Sequence, residues 1–243
     1  RKMTNATVDL KKVHCSVRAY EDKIVSEDVR KAILEAAFAA SSSSFLQLVT
    51  VIRVTDAAKR QAFYELSGNQ KHVLTAPEFW VFCADMHRNA ELVAGADLGW
   101  TEQLILGCVD TGIVAQSAMT ALESFGLGGV FVGGIRNGIA RADDVLALPQ
   151  NVFPVVGLAF GYPAEKNELK PRLPLEVTVM ENSYSEPDPA VMAAYDAVSR
   201  AYYKSRTASS KDVSWAETLP AILGKERRPF VLEFLRKKGW AQR

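Results

Sequence analysis

The longest apolar segment of the chain, residues 102–125, is the clearest hydrophobic pattern in the sequence. Apolar residues recur there on nearly every side of a helix, which is typical of a buried helix. The segment is long enough to cross a membrane, but Gln103, Asp110 and Glu123 interrupt it, and polar groups are costly in lipid. The pattern therefore favours a core helix, which ends at Gly126 because glycine accepts the left-handed conformation of helix ends.

Short continuous apolar runs predict the strands of a central sheet. These runs are residues 49–54, 79–84, 130–132 and 152–161. Amphipathic periods predict the helices, and Ser26 is the capping residue that opens one of them. The predicted helices are 4–13, 26–40, 56–66, 102–125, 140–148, 190–204, 215–223 and 229–238. The predicted fold class is α+β, with a single domain over 3–243 whose core ends near residue 175 and whose helical extension follows from about 176.

Composition narrows the class of protein. A chain of 243 residues with 48% hydrophobic residues can bury one large core. A net charge of +1 argues against a general nucleic-acid or anionic-membrane surface. Cys15, Cys83 and Cys108 have no metal-ligand or redox spacing, so reduced thiols in a cytoplasmic protein are predicted. The first residues are polar rather than an apolar run, so no signal peptide is predicted.

Three segments carry candidate polar contacts. Residues 14–18 place His14, Ser16 and Arg18 at alternate positions, which share one face of an extended segment, although a solvated edge is the alternative. The serines at 41–44 lie between a helix and a strand, which favours a fixed hydroxyl-bearing turn over a flexible linker. The adjacent glycines at 133–134 follow a strand and leave backbone N–H groups uncovered, so a flat ligand can lie against them.

An anion with several oxygens is the ligand that the cations favour. Lys170 and Arg172 alternate with prolines, which restrict the backbone that carries them. A dinucleotide fingerprint is excluded, because the glycines at 126–129 follow a helix and precede a strand, the reverse of the required order. Side chains must therefore hold any phosphate, and the candidates are His14, Arg18, Lys170 and Arg172, with hydroxyls from Ser42 and Ser44.

No side chain stands out as a catalytic group. The sequence has no evident carboxylate pair or nucleophile triad, and His72 and His87 lack a partner at metal-ligand spacing. We therefore predict no metal and no catalytic side chain. A bound cofactor is expected to supply the reactivity.

Several motifs together resemble the nitroreductase superfamily. They are residues 14–18, 39–47, 68–72, 79–85 and 126–137, in this order and spacing. The runs 170–174 and 226–230 extend the likeness over nearly the whole chain. Within the superfamily, the chain is most similar to the oxygen-insensitive NADPH nitroreductases and NADPH-flavin oxidoreductases.

The resemblance implies a nitroreductase-like fold, with a mainly antiparallel sheet surrounded by helices. It also implies a domain-swapped homodimer with two FMN sites at the interface, in which each C-terminal extension wraps the partner subunit. The family's FMN phosphate position matches His14, Lys170 and Arg172. Its ribityl and pyrimidine positions match Ser16 and Arg18, where a cation near N1 and O2 favours the reduced ring.

The remaining site residues also follow from the resemblance. Polar contacts to the cofactor match Ser42, Ser44 and Gln70. The backbone under the flavin ring matches Phe131, Val132, Gly133 and Gly134, with the Gly133 N–H as the expected partner of N5. Positions for NADPH or the substrate match Arg206, Arg228 and Phe45.

The implied activity is an FMN-dependent NADPH oxidoreductase. It would reduce nitroaromatics and quinones two electrons at a time, by ping-pong hydride transfer. A flavin reductase with free FMN as the main acceptor is the alternative within the same class. A flavin-binding protein without redox turnover, or a domain without flavin, is the rival from another class. No nucleic-acid or membrane partner is expected.

Overall fold

The computed structural model describes residues 5–207 and 209–243. Its sheet has four antiparallel strands in the order β1-β2-β4-β3, and each predicted apolar run forms one of them. The strands are β1 (Val49–Arg53), β2 (Glu78–Asp85), β3 (Gly128–Val132) and β4 (Val152–Gly161). Every residue of the central strand β2 is buried. Residues 1–4, on which the prediction of no signal peptide mainly rests, lie outside the described residues.

All the predicted helices are present in the described part of the chain. The helices are α1 (Ala6–Lys12), α2 (Glu27–Phe38), α3 (Ala57–Leu66), α4 (His72–Thr75), α5 (His87–Ala90), α6 (Thr101–Ser124), α7 (Ile139–Leu146), α8 (Leu175–Thr178), α9 (Pro189–Ser205), α10 (Trp215–Leu223) and α11 (Val231–Lys237). The sequence did not predict α4, α5 and α8, because four residues are too few for a periodic pattern. Two 3₁₀ turns complete the structure, Ser43–Phe45 and Gly133–Gly138.

The helix ends follow the capping chemistry of the sequence. The side chain of Ser26 accepts a hydrogen bond from the Val29 N–H at the start of α2, and Asp56 caps α3 in the same way. Such caps contribute about 1 kcal/mol each. Gly126, with φ of 74°, follows the last turn of α6, as predicted.

Helix α6 packs one side against the sheet and α2, and leaves its other side uncovered. The buried side contributes Val114, Ala118 and Leu122 to the largest core cluster. Ile105 and Val109 are about half exposed on the other side. By length and composition alone α6 could cross a membrane, yet its buried side belongs to the core. The sequence predicted a helix buried all round, whereas a single chain covers only one side.

The described chain divides into two packing units. The sheet unit comprises residues 5–167 and Arg228–Arg243, and the helical unit comprises Glu168–Arg227. Trp240 packs edge-on against Phe153 of β4, with ring centroids 5.0 Å apart, so the last residues of the chain belong to the sheet unit. The expected extension began near residue 176 and included these residues. The single domain over 3–243, with an extension that wraps a partner, stays a prediction.

Candidate active site

The segment 14–18 lies along the first residues of β3. The Val17 N–H donates to the Gly129 carbonyl oxygen at 3.0 Å, and Val17 is buried. A Cβ atom on Gly128 would lie 2.5 Å from the Val17 side chain, so glycine lets the two segments approach. Ser16 is half-buried and Arg18 is exposed, and Val17 between them is the buried residue of the segment.

His14 is tied to helix α6. Its Nδ1 atom forms a hydrogen bond with the Glu123 carboxyl group, and both side chains are partly buried. This contact leaves Nε2 for a ligand. Burial raises the pKa of the neighbouring Cys15 thiol, and the charge of Glu123 raises it further, which disfavours a thiolate nucleophile there. In the sequence, Glu123 stands out only as a polar interruption of an apolar helix, so the pattern did not predict this contact.

The two glycines after β3 have different surroundings. A Cβ atom on Gly134 would lie 2.4 Å from Nε2 of Gln70 and 2.7 Å from the Ser67 carbonyl oxygen, so only glycine fits. Gln70 itself donates to that oxygen at 2.8 Å. A Cβ atom on Gly133 would meet only the guanidinium end of Arg136, at 3.3 Å. The fold thus brings together Gln70 and Gly134, which the resemblance had assigned to one cofactor.

Arginine side chains lie close to this glycine turn. Arg228 Nε donates to Asn137 Oδ1 at 2.8 Å, three residues after Gly134. Burial lowers the pKa of Arg136, and the positive charge of Arg228 lowers it further. Two guanidinium groups therefore lie close enough to repel each other. Such a pair favours a bound anion.

His72 is a buried polar residue in the same region. It is 6% exposed, and its Nε2 atom has no hydrogen-bond partner among the described residues. Burial lowers the pKa of His72, and the charge of Arg18 lowers it further, which favours the neutral imidazole. A buried polar atom without a partner costs about 1–3 kcal/mol. Such an atom is expected where a ligand supplies the missing contact.

The serine turn, residues 42–47, is anchored by Asp110 of α6. Ser42 Oγ donates to Asp110 Oδ2 at 2.6 Å, and Ser43 donates to Oδ1 from both its N–H and its hydroxyl at 3.0 Å. Ser42 Oγ also accepts from the Gln47 N–H at 2.7 Å. The predicted fixed turn is therefore confirmed over a flexible linker. Asp110 was missed, because its partners lie far away in sequence.

The serine turn has a strained backbone. Ser44, Phe45 and Gln47 have φ values of 48°, 55° and 54°, in the left-handed region that side-chain-bearing residues avoid. Each such residue costs about 1–3 kcal/mol, so surrounding contacts must hold the turn in place. Phe45 is 78% exposed at its tip. The turn therefore presents an aromatic ring to solvent at a fixed position.

Helix α6 separates the candidate residues of the sheet unit into two groups. One group lies at the serine turn, which is bound to Asp110. The other group comprises segment 14–18, loop 67–72 and the end of β3, and its His14 is bound to Glu123. Asp110 and Glu123 are thirteen residues apart on one helix, a distance of about 20 Å at 1.5 Å per residue.

The remaining candidate cations belong to the helical unit. The Lys170 ammonium lies 5.2 Å from the centroid of the Tyr203 ring, a cation–π contact. The carbonyl oxygen of Pro171 accepts from the Tyr195 hydroxyl at 3.2 Å, which fixes the backbone between Lys170 and Arg172. Both cations are exposed, and Arg206 is half-buried at the end of α9. In the described ranges, 5–207 and 209–243, no three His, Cys, Asp or Glu side chains could hold a metal ion.

Comparison with known proteins places the chain in a family. Residues 13–162 match the Nitroreductase family, and residues 170–243 match the Nitroreductase family, C-terminal domain. An oxygen-insensitive NADPH nitroreductase from Salmonella typhimurium is 48% identical over 98% of this chain and 99% of its own length. An NADPH-flavin oxidoreductase from Vibrio harveyi is 41% identical over 98% of this chain and all of its own length.

A solved structure gives the same result for the fold. The NADPH:FMN oxidoreductase from Vibrio harveyi, determined in complex with NAD⁺, superposes with a TM-score of 0.92 at 39% identity. It covers 98% of this chain and 100% of its own chain. The fold thus has the α+β architecture of these oxidoreductases, as the motifs predicted. The chain belongs to the nitroreductase family.

Proposed function

We propose that the chain is an FMN-dependent NADPH oxidoreductase that reduces nitroaromatics and quinones two electrons at a time. The observation that carries this proposal is the near-complete match to relatives named as an NADPH nitroreductase and an NADPH-flavin oxidoreductase. Bound FMN would supply hydride transfer at N5, which no side chain of the candidate site can provide. In the proposed ping-pong cycle, NADPH would give up its hydride and leave as NADP⁺ before the acceptor enters the same cleft.

The residues of the sheet unit fit a flavin. Glycine backbone at 133–134 can lie under a flat ring, and the Gly133 N–H is the proposed partner of N5. Phe131 and Val132 bring the backbone to this point at the end of β3. Gln70 and Ser16 supply neutral polar contacts, and Arg18 is the proposed cation beside N1 and O2. Positive charge there stabilises the electron-rich reduced ring.

The phosphate and nicotinamide ends are assigned to cations. His14, Lys170 and Arg172 are proposed at the FMN phosphate, since Lys170 and Arg172 donate to anionic oxygens, and doubly protonated His14 can donate from Nε2 while its Nδ1 stays bonded to Glu123. Arg206 is proposed at the 2′-phosphate of NADPH. Arg228 and Phe45 are proposed at the entry for NADPH and acceptors, because both lie next to candidate cofactor contacts. Ser42 and Ser44 complete the polar contacts from the serine turn.

We also propose a homodimer with two FMN sites. Apolar side chains on the uncovered side of α6, among them Val109 and Ile113, need a partner to be buried. In a two-fold dimer with antiparallel α6 helices, the part of one helix that carries Asp110 would lie beside the part of the other that carries Glu123. The serine turn of one subunit would then join the 14–18 segment of its partner. One site thus draws on both subunits.

The oligomeric state can be tested on this face. Ile113→Lys should convert a dimer to a monomer, as measured by sedimentation equilibrium, because it would bury an unpaired charge. Ile24 is 84% exposed elsewhere in the sheet unit, so Ile24→Lys is the matched control and should stay dimeric. A wild-type protein that sediments as a monomer at micromolar concentration would contradict the proposal that each FMN site is shared between two subunits.

Steady-state kinetics test the proposed activity. Protein reconstituted with FMN should oxidise NADPH with a nitroaromatic or a quinone as acceptor, and double-reciprocal plots should be parallel. Free FMN as the best acceptor would favour a flavin reductase, which the name of the Vibrio harveyi relative makes the second candidate. Protein that stays colourless after incubation with FMN would contradict both activities. Yellow protein that does not oxidise NADPH would favour a binding or storage role.

The setting proposed for this enzyme is the cytoplasm. The three cysteines are free thiols, which fits a reducing compartment. Small planar electron acceptors are its proposed substrates, since an open site over a flat ring favours them. The net charge of +1 argues against a general nucleic-acid surface.

A further inference from the structure

Asp110 is an acidic residue in a place where helix α6 is otherwise buried by apolar packing. It is 1% exposed, and the next buried positions along this side of the helix are Val114 and Ala118. Burial of a carboxyl group is costly unless hydrogen bonds compensate it. Asp110 forms no ion pair with any described residue. Its three hydrogen bonds all come from Ser42 and Ser43.

These three bonds hold the end of the serine turn that precedes its strained residues. Ser44 and Phe45 adopt left-handed conformations immediately after Ser43, and Gln47 does so two residues later. The Ser42 hydroxyl connects the two parts, since it donates to Asp110 and accepts from the Gln47 N–H. A turn of this kind relaxes to ordinary backbone angles when its anchor is removed.

The other end of the turn is held by Arg88 and Asn89. Asn89 Nδ2 donates to the Leu46 carbonyl oxygen, and Arg88 Nη2 donates to the Gln47 carbonyl oxygen, both at 2.8 Å. These bonds fix where the turn leaves toward β1. They do not contact Ser42 or Ser43, so Asp110 holds the end of the turn that leads into Ser44 and Phe45, while Arg88 holds Gln47.

We propose that Asp110 is a positioning residue that fixes the serine turn in the conformation that binds the flavin and presents Phe45. This inference rests on the proposed function, because it assumes that the turn contacts FMN. Asp110 acts through Ser42 and Ser43 and does not itself touch the cofactor.

Asp110→Asn tests the proposal with the smallest change in shape. The amide keeps one acceptor oxygen for Ser43 but turns a donor toward Ser42, so the Ser42 bond must reverse its direction and the negative charge that strengthens all three bonds is lost. The FMN dissociation constant should rise about 10- to 100-fold, the range for a lost hydrogen bond to a charged group. The matched control is Thr111→Val on the same helix, which removes a buried hydroxyl bonded within α6 to the Gly107 carbonyl oxygen at 2.6 Å.

Hydrogen exchange of the flavin-free proteins separates positioning from the flavin assumption. The amides of Ser43 and Gln47 should exchange about 10-fold faster in Asp110→Asn than in Thr111→Val, because their acceptors are disturbed. Amides of β2, which is fully buried, should exchange at the same rate in both variants and report an intact fold. Equal exchange at Ser43 and Gln47 would overturn the proposal.

Ser43→Ala removes a partner of Asp110 instead of Asp110 itself. This variant keeps the buried carboxyl group, so it remains informative if Asp110→Asn fails to fold. Ser43 is not among the proposed flavin contacts, yet it donates twice to Asp110. Ser43→Ala should raise the FMN dissociation constant about 3- to 10-fold alone. It should add almost nothing in the Asp110→Asn background, since both changes break one network.

The outcomes separate this inference from the proposed function. If wild-type protein binds FMN, and Asp110→Asn and Ser43→Ala bind it as tightly as Thr111→Val does, the positioning role is overturned while the proposed function stands. If wild-type protein binds no FMN, both fall. Weakened binding with additive losses in the double variant would also count against a single network.

Discussion

The two packing units hold their candidate residues in different ways. In the sheet unit, Gly134 is enclosed by Gln70 and Ser67, and the serine turn is bound to a buried carboxyl group. In the helical unit, Lys170 and Arg172 are exposed on a segment without regular structure. The rigid contacts thus belong to the sheet unit, which also carries the candidate cations Arg18 and Arg228, whereas the helical unit contributes the exposed cations Lys170 and Arg172.

This difference indicates that the sheet unit fixes the position of the ring, whereas the cations of the helical unit bind the phosphate by charge. A flat ring whose reduction state must be controlled requires contacts that are fixed before it binds. A phosphate is bound by charge, which tolerates flexible donors. Changes in the sheet unit should therefore affect stability and binding together. Changes in the helical unit should affect binding alone.

The largest effect is expected from Lys170→Ala combined with Arg172→Ala. Loss of two charge-assisted contacts should weaken FMN binding about 100-fold or more, without a change in unfolding. Retained flavin after dialysis, measured by absorbance, checks this result. Lys12→Ala with Lys31→Ala removes the same charge from exposed positions and serves as the control. Full occupancy in the first variant would contradict the assignment of both cations.

Gly134→Ala should give the next largest effect, now on stability. The new methyl group would overlap the Ser67 carbonyl oxygen, which cannot move as a side chain does. The free energy of unfolding should fall by about 1–3 kcal/mol, as for an overpacked core. Gly133→Ala is the matched comparison, because its methyl group meets only the flexible end of Arg136. Equal stability of the two variants in urea would show that the enclosure of Gly134 has no energetic consequence.

Arg206→Ala should weaken the binding of the electron donor NADPH and leave FMN binding unchanged. The KM for NADPH should rise about 10-fold, since a charge-assisted hydrogen bond to the 2′-phosphate is lost. Bound FMN and the free energy of unfolding should stay as in the wild type. NADH provides the control within the same variant, because it lacks that phosphate and its KM should not change. An equal rise in the KM for NADH would contradict the assignment of Arg206 to the 2′-phosphate of NADPH.

The smallest effect concerns acid stability and His72. The pKa of His72 is lowered on folding from its ordinary value of 6.5, so in acid the unfolded chain binds a proton that the folded chain rejects. The contribution of His72 to the free energy of unfolding is therefore fully present above pH 6.5 and is lost progressively as the pH drops below that value. His72→Gln should flatten this part of the stability curve in urea titrations. The same substitution at half-exposed His87 controls for the loss of an imidazole.

Local sequence signals were enough for the strands and the longer helices. Each apolar run became a strand, and Ser26 and Asp56 capped helices as their side chains require. The anchor of the serine turn had no such signal, because Asp110 follows Ser43 by 67 positions and nothing near it marks the partner. The contact of Glu123 with His14 was hidden in the same way.

The candidate site depended on the resemblance more than on pattern. Alternation indicated that Ser16 and Arg18 could share a face, but not that Val17 would pack on the glycines of β3. Adjacent glycines indicated an open backbone, whereas their unequal surroundings come from loop 67–70, which is distant in sequence. Periodicity fixes what a segment becomes. It does not fix which distant segment lies against it.

Bound FMN is expected to accept hydride from NADPH and to pass two electrons to a planar acceptor, and the proposed roles of all the site residues depend on this reaction. Anaerobic stopped-flow absorbance of the FMN-loaded protein tests it most directly. One equivalent of NADPH should bleach the flavin band in a single phase, faster than NADH does, and a quinone added afterwards should restore the band. A flavin band that NADPH leaves unchanged would contradict the claim.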